Sequence, residues 1–390
     1  MELPDYHGGS IVNLMRSIER ALDARPCDAA LAYPELQALP ADAIAGARNI
    51  VLLVIDGLGF DYLNGAGAGS ALQRHLRARM SSVFPSTTAS AVTSFLTGVG
   101  PQQHALTGWI VWLRELGCLA ATLRFRPRHG GEPLSKAGID PRSVYTAQPM
   151  FDRLPAQSYV VSPQKIIESD YNVTHCGVAA RRPYDELPAL FSKVAEIVRS
   201  GGARKFIHAY TYDLDAAAHT FGSASPELQQ TFRRIDAAFA RLLDEIAGSD
   251  TLVIAVADHG FIDSPNPACI ELADHPQLAE TLMLPLCGER RVAYCYVESG
   301  RERAFEHYVQ TRLDHCADLY RSADLLAQGW FGLGAANPRL AERIGHYTLV
   351  MKSDYTIKDW ILGESRYLTV GVHGGVSAAE MYVPLIVAAA

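Results

Sequence analysis

In this 390-residue chain, six Asp and His residues fall just after short apolar runs. Asn49–Ile55 runs into Asp56-Gly57, and Phe206–Tyr212 leads to Asp215, with His219 four residues on. Leu252–Ala257 runs into Asp258-His259-Gly260, and the stretch 369–372 leads into His373-Gly374-Gly375. Carboxylate and imidazole are the ligand types of zinc and manganese. Taken singly, an Asp after a strand is commonly a turn or capping residue. Six such residues at the ends of four apolar runs point instead to a metal site. A four-residue step on a helix puts Asp215 and His219 on one face. Asp213 is the alternative ligand if that spacing is displaced.

A metal site of this kind becomes catalytic when it faces a nucleophile. The run Ser86-Thr87-Thr88-Ala89-Ser90 opens an apolar helix that ends at Thr97-Gly98. Hydroxyl residues there can simply cap the helix. A hydroxyl among the free N–H groups of a helix start also sits where developing negative charge is favoured. A nearby metal ion could activate it.

Such residues need a scaffold that brings strand ends together. The buried runs at Asn49–Ile55, Phe206–Tyr212 and Leu252–Ala257 read as strands covered on both faces. Between the last two lies a helical pattern over 226–247, with Ser225 as N-cap and Pro226 in the first helical position. Thr88–Leu96 is a second helix. This alternation predicts an α/β fold with a largely parallel sheet, whose ligands bind at the carboxyl ends of its strands. The texture changes over 291–355, with strands at Arg291–Val297 and His346–Met351 around a helical stretch near 303–328. That segment is expected to form a small inserted α+β cap on a core made of 1–290 and 356–390. Arg366–Val372 and Tyr382–Ala388 are expected to return to the main sheet.

Composition narrows the function. Hydrophobic residues make up 48% and charged residues 20%, an ordinary globular balance that excludes a disordered chain. The 35 Lys and Arg against 42 Asp and Glu leave a net charge of −7, which argues against a nucleic-acid-binding surface. A small phosphorylated substrate stays compatible, because a metal supplies local positive charge. The longest apolar run, Ile50–Ile55, is far short of the about 20 residues of a membrane span. The seven cysteines are scattered and unpaired in pattern, and no signal-peptide pattern opens the chain, so a reduced, cytoplasmic protein is expected.

The ordered set Val54-Ile55-Asp56-Gly57, Thr88 to Thr97-Gly98, Asp215 to His219 and Gly222, Asp258-His259-Gly260, and His373-Gly374 resembles the alkaline phosphatase superfamily. Within it, the set is most similar to the type I phosphodiesterase/nucleotide pyrophosphatase branch. The resemblance implies a three-layer sandwich with helices on both faces of the sheet. It also implies two divalent metals, zinc or manganese, bridged by the reacting phosphate. Asp215, His219 and His373 would hold one, and Asp56, Asp258 and His259 the other. Thr88 would attack phosphorus to give a phosphothreonine that water then releases. The implied substrate is a small phosphorylated molecule such as a nucleotide or phosphodiester. The branch's usual Thr-Phe-Pro-Asn is absent around Val83-Phe84-Pro85, so spacing back from Thr97-Gly98 selects Thr88, with Thr87 as rival. An Asn that holds the phosphoryl group in diesterases has no counterpart. That keeps a phosphomonoesterase, phosphonate hydrolase or phosphomutase in view. A sulfatase is disfavoured because no Cys lies between 28 and 117. A dinucleotide-binding oxidoreductase is the reading from another class, but Gly57-Leu58-Gly59 has Tyr62 where the third glycine belongs. The basic cluster Arg124, Arg126 and Arg128 reads as a solvated loop or a phosphate contact. His104 reads as a structural turn residue.

Overall fold

The computed structural model describes residues 1–364 and 366–390. Its main sheet has seven strands: β1 (Asn49–Ile55), β2 (Leu76–Ser81), β3 (Gln157–Pro163), β4 (Ala180–Tyr184), β5 (Lys205–Thr211), β6 (Thr251–Val256) and β7 (Tyr382–Ala389). Their order is β2-β7-β6-β1-β5-β3-β4. From β6 to β4 all neighbours are parallel, while β7 runs antiparallel to both β6 and β2. Every residue of β1 and β5 is buried, as expected of central strands covered on both faces.

The helices form two groups. α1 (Ile11–Ala21) packs on α2 (Thr88–Thr97). α3 (Leu187–Arg199) and α4 (Asp213–Phe221) pack on α5 (Pro226–Glu245). With the sheet between them they make the expected three-layer α/β sandwich. α5 starts as its sequence requires: Ser225 Oγ accepts from Leu228 N at 3.2 Å, and Pro226 takes the first turn, where its missing N–H is harmless. α2 is almost wholly buried, and three of its hydroxyls return to its own backbone. Thr93, Ser94 and Thr97 bond the carbonyls four residues back.

A second seven-stranded sheet is antiparallel throughout, in the spatial order 317–321, 347–351, 292–295, 287–288, 110–113, 118–121, 126–127. Segment 291–355 therefore supplies only part of it. The helical stretch expected near 303–328 is broken by the edge strand Ala317–Arg321, between the turns at 302–313 and Ser322–Ala327. The segment 366–372 does not join the main sheet. Only Gly371–Val372 is a strand, paired with Ile262–Asp263. No helix among the described residues is long and apolar enough to cross a membrane.

The two sheets are joined beside the start of α2. Phe84 packs edge-on against Trp330 and Phe331, with ring centroids 5.0 and 5.2 Å apart. A buried ion pair adds a polar tie. Arg291 reaches Glu380 through two bonds of 3.0 Å, and both side chains are at most 2% exposed. The same carboxylate accepts from Gly375 N at 2.8 Å and Ser377 Oγ at 2.7 Å, which pins the loop that carries His373. Removing one partner of such a pair strands a buried charge. Arg291→Ala should therefore lower the free energy of unfolding by about 3–5 kcal/mol in urea titrations. A loss under about 1 kcal/mol, the range of an exposed pair, would contradict this role.

Candidate active site

Three adjacent parallel strands, β6, β1 and β5, deliver acidic residues to one edge of the sheet. Asp56 follows β1 directly, Asp258 and His259 follow β6, and Asp215 sits in the first turn of α4 after β5. Asp56, Asp258 and His259 are at most 1% exposed. The approach is close enough to dictate the residue after Asp56. Gly57 has φ +77°, and a Cβ there would lie 3.1 Å from Asp215 Cβ. Gly260 is required for another reason, since its Cβ would collide with the carbonyl of Ala379.

The imidazoles complete the cluster. His259 Nε2 lies 3.4 Å from Asp56 Oδ1 and 3.4 Å from Asp258 Oδ2. His219 Nε2 lies 3.2 Å from Asp215 Oδ2, and His373 Nε2 lies 3.9 Å from Asp215 Oδ1. The His259 and His373 rings stack at 3.7 Å. Thus all six sequence-predicted ligands meet in one place. The tightest ligand-atom groups are Asp56-Asp258-His259 and Asp215-His259-His373, with His219 just beside the second. Asp213 is outside both, its carboxylate taken by the Thr211 hydroxyl at 2.5 Å.

Hydrogen-bond accounting shows what the cluster lacks. His259 Nδ1 faces the Gly260 carbonyl at 3.0 Å, and His219 Nδ1 faces the Gly371 carbonyl at 2.7 Å. A carbonyl can only accept, so in each neutral ring Nδ1 carries the proton and Nε2 presents a lone pair. Those lone pairs point at carboxylate oxygens, acceptor against acceptor. Asp56 Oδ1, Asp258 Oδ2, Asp215 Oδ1 and His373 Nδ1 are all buried without a hydrogen-bond partner. Burial, reinforced by the Asp258 and Asp215 charges, pushes the Asp56 carboxyl well above the ordinary range. Burial also raises Asp215 and holds His373 well below the usual imidazole range. Oxygen and imidazole donors gathered around missing positive charge fit divalent metal ions.

Supporting groups hold this arrangement, and the sequence did not single them out. Tyr210 OH donates to Asp56 Oδ2 at 2.5 Å. Gly57 N and His259 N both donate to Asp258 Oδ1, at 3.1 and 3.0 Å. Tyr210 lies within the fully buried strand β5, where a tyrosine whose hydroxyl needs a partner was the available signal.

The two candidate threonines point differently. Thr88 Oγ1, at the first position of α2, lies 3.1 Å from His259 Nε2. Thr87 occupies the N-cap position, but its hydroxyl caps no backbone amide and donates to Glu289 Oε1 at 2.7 Å. Glu289, on the second sheet's side, also accepts from Trp109 N at 2.7 Å. The basic cluster divides. Arg128 is buried in ion pairs with Asp359 and Glu364, whereas Arg124 and Arg126 line the cavity that contains Asp56 and Thr88. Arg128 is therefore not a solvated loop residue.

His104 has the structural place expected of it. Its Nδ1 accepts from Leu106 N at 3.0 Å, and its Nε2 lies 3.2 Å from Ser94 Oγ of α2. Burial pushes it down to about 3 and His175 down to about 4. Both stay neutral when folded but take up a proton on unfolding below pH about 6.5. Their stabilising contribution is thus complete above that pH and is lost as pH falls toward 4. His104→Gln should flatten the acid limb by about 1.4 kcal/mol per pH unit below pH about 6, measured by urea unfolding. An unchanged slope would show that His104 titrates alike in both states.

A family model described as type I phosphodiesterase/nucleotide pyrophosphatase matches residues 50–376. Among solved structures, an inactive form of murine ectonucleotide pyrophosphatase/phosphodiesterase 5 in complex with AMP is similar in fold, with a TM-score of 0.64 at 16% identity. That match covers 86% of this chain and 87% of that one. Phosphonoacetate hydrolase from Sinorhizobium meliloti 1021, in complex with phosphonoformate, gives a TM-score of 0.62 at 18% identity, covering 88% and 90%. No curated protein sequence matches the chain. Since the family model spans well over half of the sequence and takes in every residue of the cluster, the chain belongs to the type I phosphodiesterase/nucleotide pyrophosphatase family of the alkaline phosphatase superfamily.

Proposed function

We propose that this phosphohydrolase acts on small phosphorylated molecules, with two divalent metals, through a phosphothreonine at Thr88. The observation that carries the reading is the half-buried Thr88 hydroxyl beside His259, at the edge of carboxylates left without partners. Asp215, His219 and His373 would hold one metal, and Asp56, Asp258 and His259 the other, zinc or manganese suiting both sets. When bound, the metals supply the positive charge that draws in and polarises the phosphoryl oxygens.

This chain's own groups do the rest. Tyr210 and the Gly57 and His259 amides fix the carboxylates. The Nδ1 contacts to Gly260 and Gly371 aim His259 and His219. The Thr88 and Ala89 amides, ahead of the first helical bonds of α2 to the Thr87 carbonyl, favour negative charge near Thr88. The Thr88 hydroxyl gives up its proton to solvent as the Oγ–phosphorus bond forms, and the leaving group departs with its bonding electrons and takes up a proton in turn. Water then breaks the phosphothreonine from the opposite side, restoring the hydroxyl and releasing phosphate or its monoester. The Glu289 contact keeps Thr87 turned aside as a supporting neighbour.

Phosphodiester or nucleotide pyrophosphate hydrolysis is the reading that family membership supports best. Phosphonate hydrolysis is the second, favoured by the fold shared with phosphonoacetate hydrolase. A reduced cytoplasmic setting, and a core of 1–290 and 356–390 bearing an insertion at 291–355, are further parts of the proposal.

Acid quench during turnover followed by phosphopeptide mapping tests the nucleophile. Phosphate should appear on Thr88, and Thr88→Ala should lose at least about a thousandfold in kcat while keeping its metals. Phosphate on Thr87, or turnover intact in Thr88→Ala, would contradict the assignment.

A further inference from the structure

The candidate site opens on a cavity of about 1110 Å³, above the usual size of a small-molecule pocket and far larger than a phosphoryl group needs. Besides Asp56, Thr88 and Asp215, four cations line it: Arg124, Arg126, Lys136 and Lys165. Among the described residues none of the four has a carboxylate within ion-pair distance. Two further carboxylates share this lining: Glu168 pairs with Arg181, and Asp170 accepts from the Ser135 hydroxyl at 2.6 Å. His208 of β5 and Ser162 of β3 line it too, both buried. Neither ring nitrogen of His208, nor Ser162 Oγ, nor Arg126 Nε has a hydrogen-bond partner. Buried polar groups are nearly always partnered, so three such residues along one cavity call for a ligand group or ordered water. His208 sits inside the fully buried strand β5, and burial holds it neutral, pushed down to about 4, so it offers one donor and one acceptor.

We infer that the substrate carries a second oxyanion, a carboxylate or a phosphate, at the far end of its organic part. Arg124, Arg126, Lys136 and Lys165 would receive that oxyanion, while His208 and Ser162 bond the polar group between the two ends. This rests on the proposed function, because the first oxyanion is the reacting phosphoryl group. Guanidinium and ammonium groups held in no ion pair suit such a ligand, since no existing pair has to be broken, and Arg124 is steadied over the Trp109 ring at 5.4 Å.

Titration calorimetry on the zinc-loaded protein tests this with three probe series of increasing chain length: plain alkylphosphonates, ω-carboxyalkylphosphonates and α,ω-bisphosphonates. At some length, one anion-ended series should bind at least tenfold tighter than the plain probe. Which series wins distinguishes a carboxylate from a phosphate. In Arg126→Gln/Lys165→Gln that advantage should fall below about threefold. Equal affinity for plain and anion-ended probes at every length would overturn the inference while leaving the phosphoryl site standing. So would an advantage that survives the double substitution. If no probe binds in a zinc-dependent way, the proposed function itself fails, and the second oxyanion with it.

Discussion

Like charges brought together at the edge of a buried sheet are the constraint on which the rest of the structure depends. Parallel strands in register place their carboxyl ends side by side, so the acids after β1, β6 and β5 meet whether or not they repel. Two of them are fully buried, and three carboxylate oxygens have no donor. Burying carboxylates without compensation is expensive. Positive charge has to come either from protonation or from a bound cation. The His259 and His219 rings are oriented by backbone carbonyls so that their lone pairs face inward, which is how imidazoles are held for metals.

The second sheet acts on this cluster from the other side. Its residue Arg291 holds Glu380, and Glu380 holds the Gly375 amide two residues after His373. Its neighbour Glu289 takes the Thr87 hydroxyl, leaving Thr88 as the hydroxyl that faces His259. Phe84, wedged against Trp330 and Phe331, fixes the approach to α2. The antiparallel sheet thus positions both the start of the nucleophile's helix and the loop that carries His373.

The sequence was most legible where structure is local. The seven buried residues of β1, followed by Asp56-Gly57, define strand and turn without reference to any partner. The Ser225-Pro226 start of α5 likewise depends only on its own first turn. Legibility failed where geometry comes from distant partners. The 366–372 segment is apolar enough to read as a strand, yet it is held mainly by contacts to His219 and Ser264 and by a two-residue pairing. Strand 317–321 is a sheet edge, so its burial pattern is weak and it merged into the flanking helical signal. Tyr210, Glu289 and Ser162 gain their places only through neighbours far away in sequence. His208 was visible as a polar residue inside an all-buried run, but the lack of a protein hydrogen-bond partner for its ring was not.

The central claim is that positive charge at this edge comes from two metal ions. Crystals of the zinc-loaded protein, measured at wavelengths on either side of the zinc absorption edge, test it most directly. The account predicts two anomalous peaks per chain, about 4 Å apart, one among Asp215, His219 and His373 and the other among Asp56, Asp258 and His259, next to the Thr88 hydroxyl. A single peak, or none in crystals of protein that still turns over, would contradict it.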